Sequence, residues 1–342
     1  PKQGANVEVT IDPALQQAAY DQLVGPGYEG SAVAIQPSTG KILAMASNPG
    51  YNPNDLMGDS AEDVWANLQE QEGQPLVNHA GAETLPPGSI FKIITTAAGL
   101  NNGFNPSSTL TGSNVITLPD TVTELTNYAN QKCNGQDAVT LQTAFALSCN
   151  TAFVEMSEQL GADELRKYAK AFGVGENYDL GVSTSAGTLG DLPDGAATAQ
   201  SAIGQRDVTM TALQAAVMAG TVANKGTRMQ PYLVNRITDA QMKDIRTTKP
   251  KKADQAVNEE TAATLTDLMY ASERSSAGYD GNGFASKTGT AEHGEGLAPH
   301  VWYVAFDPER DIAVGVVVKN GGNLGESATG GKVSGPIGRA IL

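Results

Sequence analysis

The sequence predicts a mixed α/β (α+β) protein, and three stretches of the chain support this class. Near the N-terminus, residues 7–11 alternate apolar and polar side chains with a period of two, which is typical of a half-buried strand. In the middle, helical runs follow one another closely, and near the C-terminus two apolar strands precede a final helix. A chain of 342 residues can form one large domain of two lobes, or one domain with a small appendage.

Composition excludes several classes of protein. Charged residues make up 17% of the chain and hydrophobic residues 40%, which is typical of a globular protein and not of a disordered one. The net charge of −15 argues against a nucleic-acid partner, because such a partner requires a basic face. No run of eighteen apolar residues occurs, and residues 1–6 have the pattern of neither a signal peptide nor a membrane anchor.

The first third of the chain predicts a strand, a helix and a hairpin. Asp12 and Pro13 form an N-cap followed by proline at the first helical position, so a helix is expected from there to about Leu23. Two strands follow at 32–35 and 41–46, joined by a Pro-Ser-Thr-Gly turn. Residues 48–85 are rich in Asn, Pro, Gly and acids, and they predict a surface connection with a short helix over 61–70.

The middle of the chain predicts loops and then helices. Residues 101–137 read as loops with one small hairpin near 115–118, and residues 174–201 read as a loop because of their Gly, Ser and Thr content. Four helices are expected, and glycines end the last three: 141–147, 151–160, 163–172 and 211–224.

The C-terminal third predicts a β-rich region closed by a helix. A hairpin is expected over 231–245, and the lysines at 249–252 indicate a solvated turn. A helix capped by Asn258 is expected at 259–269, with a polar loop at 272–283. Three strands should follow, at 284–291, 301–306 and 312–318. The last two are apolar almost throughout, which predicts cover on both faces of their sheet. The helix at 333–342 should pack on this sheet beside the helix that begins at Pro13.

Ser89 and Lys92 form a candidate nucleophile and base. Residues 90–100 contain no proline and are apolar nearly all round, which predicts a buried helix. Positions three apart share a helix face, so the Lys92 amine can reach the Ser89 hydroxyl. Burial or a second cation would lower the lysine pKa and let it act as a base. The alternative is that Ser89 is an N-cap and Lys92 a solvated charge.

Two further motifs favour the catalytic interpretation. Ser148-Cys149-Asn150 follows the helix at 141–147, and Lys287-Thr288-Gly289-Thr290 lies in the predicted strand at 284–291. Alone, Ser148-Cys149-Asn150 could be a helix break with Asn150 as a cap. Ser-x-x-Lys, Ser-x-Asn and Lys-Thr-Gly in this order are the motifs of class A β-lactamases and penicillin-binding proteins. The chain therefore resembles the transpeptidase domain of class B penicillin-binding proteins, most closely the actinobacterial cell-division and elongation type.

The resemblance implies a fold and a location. The fold is the penicillin-binding transpeptidase or serine β-lactamase-like fold, with a five-stranded antiparallel sheet flanked by helices and an additional all-α lobe. The resemblance places one transpeptidase domain over 1–342, with an α/β lobe at about 1–60 and 228–342 and a helical lobe at about 61–227. It also implies an N-terminal membrane anchor and a pedestal outside these residues, and a position at the extracytoplasmic face of the membrane. The alternative is a soluble cytoplasmic protein.

The resemblance also implies catalytic roles. Ser89 would form the acyl-enzyme with Lys92 as its base, Ser148 would relay a proton, and Asn150 would hydrogen-bond the donor peptide backbone. Lys287 is a second cation that can lower the Lys92 pKa and attract the carboxylate that ends the substrate.

The rest of the Lys-Thr-Gly-Thr stretch is implied to bind substrate. Thr288 and Thr290 would offer hydroxyls to the substrate carboxylate. The backbone amides of Ser89 and Thr290 would form the oxyanion hole. Gly289 has no side chain, so a ligand backbone could approach the strand closely. The stretch 203–205 is similar to a structural Gly-Gln segment of the family and is assigned no chemistry.

Cys133 and Cys149 allow a disulfide if the domain works outside the cytoplasm. Sequence alone does not show that they come close enough to bond, and the bridge would tie a loop to the active-site wall. Cys149 is a poor candidate nucleophile, because no histidine lies near it in sequence. The histidines are isolated and no phosphate-binding glycine loop occurs, so we expect no metal site and no cofactor.

The implied reaction is the cross-linking of peptidoglycan stem peptides that end in D-Ala-D-Ala, with β-lactam antibiotics as covalent inhibitors. Two alternatives stay open: a β-lactamase, and a non-catalytic penicillin-binding sensor or scaffold. A β-lactamase would need a glutamate that activates the deacylating water, and no glutamate stands in a matching motif. Partners in a division or elongation complex are also implied.

Overall fold

The computed structural model describes residues 3–342, which contain β-strands and α-helices in mixed order. The strands are β1 (Asn6–Val9), β2 (Gly30–Ile35), β3 (Ile42–Asn48), β4 (Thr109–Thr111), β5 (Val115–Thr117), β6 (Glu124–Thr126), β7 (Ala138–Thr140), β8 (Thr227–Met229), β9 (Val234–Thr238), β10 (Asp244–Thr247), β11 (Lys252–Gln255), β12 (Ala285–Ala291), β13 (His300–Asp307) and β14 (Ile312–Val318). The helices are α1 (Pro13–Val24), α2 (Ala61–Glu70), α3 (His79–Ala82), α4 (Lys92–Leu100), α5 (Leu141–Leu147), α6 (Asn150–Leu160), α7 (Ala162–Ala171), α8 (Gly195–Ala202), α9 (Ala212–Ala223), α10 (Glu259–Ser275) and α11 (Gly330–Ile341).

The central sheet has five antiparallel strands in the order β12-β13-β14-β2-β3. Trp302 of β13 pairs with Gly289 of β12 on one side and with Val317 of β14 on the other. The sheet therefore joins the N-terminal hairpin to strands that lie more than 200 positions later in the chain. It leaves β12, which carries the Lys-Thr-Gly motif, as an edge strand.

Helices cover both faces of this sheet, which confirms the prediction made from the apolar character of β13 and β14. On one face, α1 and α11 bury Leu23 and Ile337 against Tyr303 and Val314. On the other face lies α9. A side chain at Gly315 would come within 2.6 Å of the Ala212 carbonyl, so glycine allows strand and helix to approach closely. Buried on both faces, these strands can be apolar throughout.

Helix α4 lies in the core on the α9 side of the sheet. All its residues except the last are buried, including Thr95, whose hydroxyl donates to the Ala202 carbonyl at 2.7 Å. Helices α6, α7 and α10 pack around α4. A helix that is covered on every side has no polar face, which explains its sequence.

Three sequence predictions of secondary structure are wrong. Strand β1 is exposed at all four positions, because it pairs with β9 in a small separate sheet and not with the central one. The predicted loop at 174–201 contains all of α8 except its last residue. The alanines of this helix lack a clear period, and its N-cap Asp194 accepts a hydrogen bond from the Ala197 amide at 2.8 Å. The predicted loop at 272–283 begins later, because α10 continues to Ser275 and buries Glu273.

The other helices and hairpins occur where they are predicted, within a few residues. The predicted hairpins correspond to β2-β3, β5-β6 and β9-β10. Helix α11 lies beside α1, as expected. Among residues 3–342, none of the helices combines the length and the hydropathy that a bilayer crossing requires.

Candidate active site

Ser89 lies in a short 3-10 turn, Gly88–Phe91, that leads directly into α4. The turn is held from two sides: the Gly88 amide donates to the Gly204 carbonyl at 3.0 Å, and the Trp302 indole donates to the Pro86 carbonyl at 2.9 Å. The Ser89 hydroxyl makes no capping hydrogen bond, and the residue is partly exposed. The serine is thus fixed in position, open to a ligand, and not an N-cap.

The Lys92 side chain is fully buried, and its Nζ lies among four oxygen atoms. Ser89 Oγ is at 3.0 Å, Ser148 Oγ at 3.1 Å, the Ser148 carbonyl at 3.0 Å and Asn150 Oδ1 at 2.7 Å. The carbonyl and the amide oxygen can only accept, so they take two N–H groups. A neutral amine has no third hydrogen, and its lone pair is then left for a hydroxyl proton. This is the arrangement that a base beside a serine requires.

The Ser148-Cys149-Asn150 turn presents its polar groups to Lys92. Ser148 ends α5 in the left-handed conformation, with φ 60° and ψ 49°, which is uncommon for a residue with a side chain. Asn150 is the first residue of α6, and its Nδ2 donates to the Thr126 carbonyl at 3.2 Å. Because the amide nitrogen is committed to that carbonyl, the amide oxygen faces Lys92.

A disulfide joins the same turn to a neighbouring loop. Cys149 is bonded to Cys133, and their Cα atoms are 5.8 Å apart. The loop also contacts the start of α6, because Asn127 Oδ1 accepts from the Thr151 amide at 3.0 Å. The turn that carries Ser148 and Asn150 is therefore fixed by a covalent bond and by hydrogen bonds.

Lys287 approaches the site from β12. Its Nζ donates to Ser148 Oγ at 3.0 Å and to the Thr288 carbonyl at 2.9 Å, and it lies 5.8 Å from the centre of the Phe145 ring. The Ser148 hydroxyl consequently lies between two lysine amines. It can pass a proton from one to the other or to a ligand.

Both lysines have lowered pKa values. Burial, and then the positive charge of Lys287, bring the pKa of Lys92 well below its usual 10.5. Burial alone lowers the pKa of Lys287 to about 7. A charged amine loses its hydration when it is buried, so burial shifts the balance of Lys92 toward its neutral form.

The remainder of the Lys-Thr-Gly-Thr stretch continues along the edge strand, where Thr288 and Thr290 are partly exposed. A side chain at Gly289 would lie 2.9 Å from the Pro87 carbonyl and 3.1 Å from the Ile90 nitrogen. Glycine at this position therefore lets β12 pack against the Ser89 turn. The sequence-based reason for this glycine, close approach of a ligand backbone, stays a prediction.

The structure brings five of the predicted site residues into one cluster, and they come from distant parts of the chain: Ser89, Lys92, Ser148, Asn150 and Lys287. Among residues 3–342, the Thr288 and Thr290 side chains make no hydrogen bond to this cluster. Two contributors were not predicted. The Thr126 carbonyl has no sequence signal, since every residue carries one. Gly204, in the stretch assigned no chemistry, supports the Ser89 turn.

Comparison with known proteins agrees with this geometry. Residues 30–342 match the family described as the penicillin-binding protein transpeptidase domain. A peptidoglycan D,D-transpeptidase PbpA of Mycolicibacterium smegmatis is 45% identical over 357 residues, which cover 99% of this chain and 72% of that protein.

Solved structures are also similar. Penicillin-binding protein A from M. tuberculosis, as its ceftriaxone acyl-enzyme complex, superposes with a TM-score of 0.95 at 42% identity, covering 99% of this chain and 80% of that one. Its penicillin G acyl-enzyme complex gives a TM-score of 0.94 at 42% identity, with the same coverage. Because the family match spans most of the chain and the relatives exceed 40% identity, the chain belongs to the penicillin-binding protein transpeptidase family and is a class B D,D-transpeptidase domain.

Proposed function

We propose that this chain cross-links peptidoglycan stem peptides through an acyl-enzyme on Ser89. The observation that carries the proposal is the contact between the buried Lys92 amine and the Ser89 hydroxyl, 3.0 Å apart, beside a second lysine that favours the neutral amine. The relatives that are named D,D-transpeptidases support the reaction class.

In the first half-reaction, Lys92 takes the Ser89 proton as Oγ attacks the carbonyl carbon between the two terminal D-alanines. A C–O bond forms, the C–N bond of the peptide breaks, and the last D-alanine leaves. Its amine must gain a proton, which Ser148 can relay from the lysine that received it. The product is a serine ester of the donor peptide.

In the second half-reaction, the amine of an acceptor stem peptide attacks the ester carbonyl. The amine loses a proton to Ser148 and the lysine pair, a C–N bond forms, and the C–O bond to Ser89 breaks. The Ser89 hydroxyl regains a proton, so the enzyme returns to its starting state. Asn150 would hydrogen-bond the donor backbone in both halves.

Negative charge develops on the carbonyl oxygen in each step. We assign its stabilisation to the backbone amides of Ser89 and Thr290, which belong to two segments that pack together. Donors of this kind contribute about 3 to 4 kcal/mol each in serine acyl-transfer enzymes. The substrate carboxylate would bind near Lys287, Thr288 and Thr290.

We also propose where in the cell this activity takes place. The domain would work at the extracytoplasmic face of the membrane, and the disulfide between Cys133 and Cys149 is consistent with an oxidising location. Full-length protein would be held there by an N-terminal anchor and would join a division or elongation complex.

The test is acylation by a fluorescent penicillin, followed by mass spectrometry of the labelled peptide. We expect a stable adduct on Ser89 that is lost in Ser89→Ala and kept in Ser60→Ala, which changes an exposed serine. Rapid release of the label would indicate a β-lactamase instead, and absence of labelling would indicate a scaffold. Cross-linking of a donor and an acceptor stem peptide then establishes the transfer.

A further inference from the structure

Glu273 is a buried carboxylate that the proposed reaction does not use. It lies near the end of α10 and has no exposed surface. Oε1 accepts from Arg339 Nε at 2.7 Å and from Asn282 Nδ2 at 3.0 Å, and Oε2 accepts from the Tyr303 hydroxyl at 2.9 Å and from the Ser286 hydroxyl. Burial acts to raise the pKa of Glu273, but these donors, led by Arg339, lower it below its usual value. The carboxylate is therefore ionised and fully hydrogen-bonded.

Ser286 connects this hydrogen-bond network to the active site. Ser286 precedes Lys287 on β12, and both residues are buried. Successive side chains of a strand point to opposite faces, so holding Ser286 on one face fixes the direction of Lys287 on the other. As an edge strand, β12 has a ladder only with β13, and its other edge faces the Ser89 turn. Hydrogen bonds to an ionised carboxylate are stronger than neutral ones, so this contact is suited to holding the strand in place.

We propose that Ser286, held by Glu273, is a positioning residue that aims the Lys287 amine at Ser148. The inference rests on the proposed function, because it concerns the lysine pair that activates Ser89. Arg339 neutralises Glu273, so the network acts on Lys287 through geometry and not through charge. Correct placement of Lys287 brings its amine close to Lys92, where a positive charge on Lys287 favours the neutral form of Lys92.

The chain offers a matched pair of variants. Ser286→Ala and Tyr303→Phe each remove one hydroxyl that donates to the same oxygen, Oε2 of Glu273. Both residues are fully buried, and both lie on the central sheet. Only Ser286 is next to Lys287 in the chain, whereas Tyr303 lies on β13, one strand away from the cleft.

The experiment measures penicillin acylation of the whole domain against pH, together with thermal unfolding. We expect both variants to lose stability to a similar degree. Only Ser286→Ala should slow acylation at pH 7, by about tenfold, as expected for a misplaced catalytic group. The acid limb of its pH–rate profile, where the acylation rate rises with pH, should move to higher pH by about half a unit or more. The reason is that a displaced Lys287 lowers the Lys92 pKa less.

Equal acylation rates and pH profiles in the two variants, whether both slowed or both unaffected, would overturn the proposal. If Ser286→Ala does not fold, Ser286→Cys is used instead, because its thiol has a similar volume but is a weak hydrogen-bond donor. This variant should shift the acid limb of the pH–rate profile in the same direction, but by less. An unchanged limb in that variant would equally overturn the proposal. If the unmodified domain is not acylated at all, the proposed function fails as well, and this result is distinct from the others.

Discussion

Lys287 Nζ lies 3.0 Å from Ser148 Oγ, and that oxygen lies 3.1 Å from Lys92 Nζ. One hydroxyl thus bridges two amines that both have lowered pKa values. The charge of Lys287 consequently affects the protonation of Lys92. We make five predictions from this arrangement and from the packing around it.

Removing the Lys287 charge should raise the pKa of Lys92. In Lys287→Met, Lys92 holds its proton to higher pH, so less of it is available as a base at pH 7. We expect slower penicillin acylation, with the acid limb of the pH profile moved upward by about one unit. Lys287→Arg keeps the charge and serves as the control for the limb position. If the acid limb of the pH profile does not move in Lys287→Met, the Lys287 charge does not affect the Lys92 pKa.

A negative charge at position 150 should act in the same direction. Asn150→Asp places a carboxylate where Oδ1 now lies, 2.7 Å from Lys92 Nζ, and this stabilises the charged lysine. It also sets a carboxylate against the Thr126 carbonyl, which loses its donor. We expect acylation at pH 7 to fall by at least about 100-fold and to recover partly at pH 9. Asn150→Ala should be slow at both pH values, because it adds no charge.

Replacing the buried lysine base by an apolar side chain should stabilise the fold. The folded-state pKa of Lys92 lies below its unfolded value, so between these two values only the unfolded chain binds the proton. Lys92→Met removes this penalty, and we expect unfolding in urea at pH 7 to require about 1 to 4 kcal/mol more. The gain should shrink as the pH rises toward 10.5. Lys167→Met, at an exposed lysine, should show no such dependence on pH.

A methyl group at position 289 should push β12 away from the Ser89 turn. In Gly289→Ala the new carbon would lie 2.9 Å from the Pro87 carbonyl, which cannot move freely. We expect a loss of about 1 to 3 kcal/mol in stability and acylation at least about tenfold slower. Gly283→Ala is the control, because its new carbon meets no atom within 4 Å. Equal behaviour of the two variants would show that the contact is unimportant.

Reduction of the disulfide should destabilise the domain. The bridge joins positions separated by 16 residues, and a loop of about this size contributes about 3 kcal/mol by restricting the unfolded chain. Thermal unfolding with and without a thiol reductant measures the change. The Cys133→Ala/Cys149→Ala double variant should start from the lower stability and show no response to the reductant. A response in that variant would mean that the reductant acts elsewhere.

Many features of the fold follow from local patterns. The helix from Pro13 is marked by its Asp12 cap, and the runs at 301–306 and 312–318 indicate buried strands through their composition. The errors arise where local pattern and tertiary context differ. Strand β1 alternates like a half-buried strand but is exposed, and α8 is stabilised by burial of small side chains that carry no period.

The sequence by itself determined the residue types of the site and the pair at positions 89 and 92, because a spacing of three is a neighbour relationship within a single helical turn. Only the tertiary structure decided that Lys287 meets Ser148, 139 positions earlier in the chain, and that the Thr126 carbonyl orients Asn150. It likewise decided that Glu273 accepts a hydrogen bond from Ser286, the residue before Lys287. Backbone geometry fixes neighbours a few residues apart, whereas contacts between distant segments depend on how helices and strands pack, and packing leaves no local mark in the sequence.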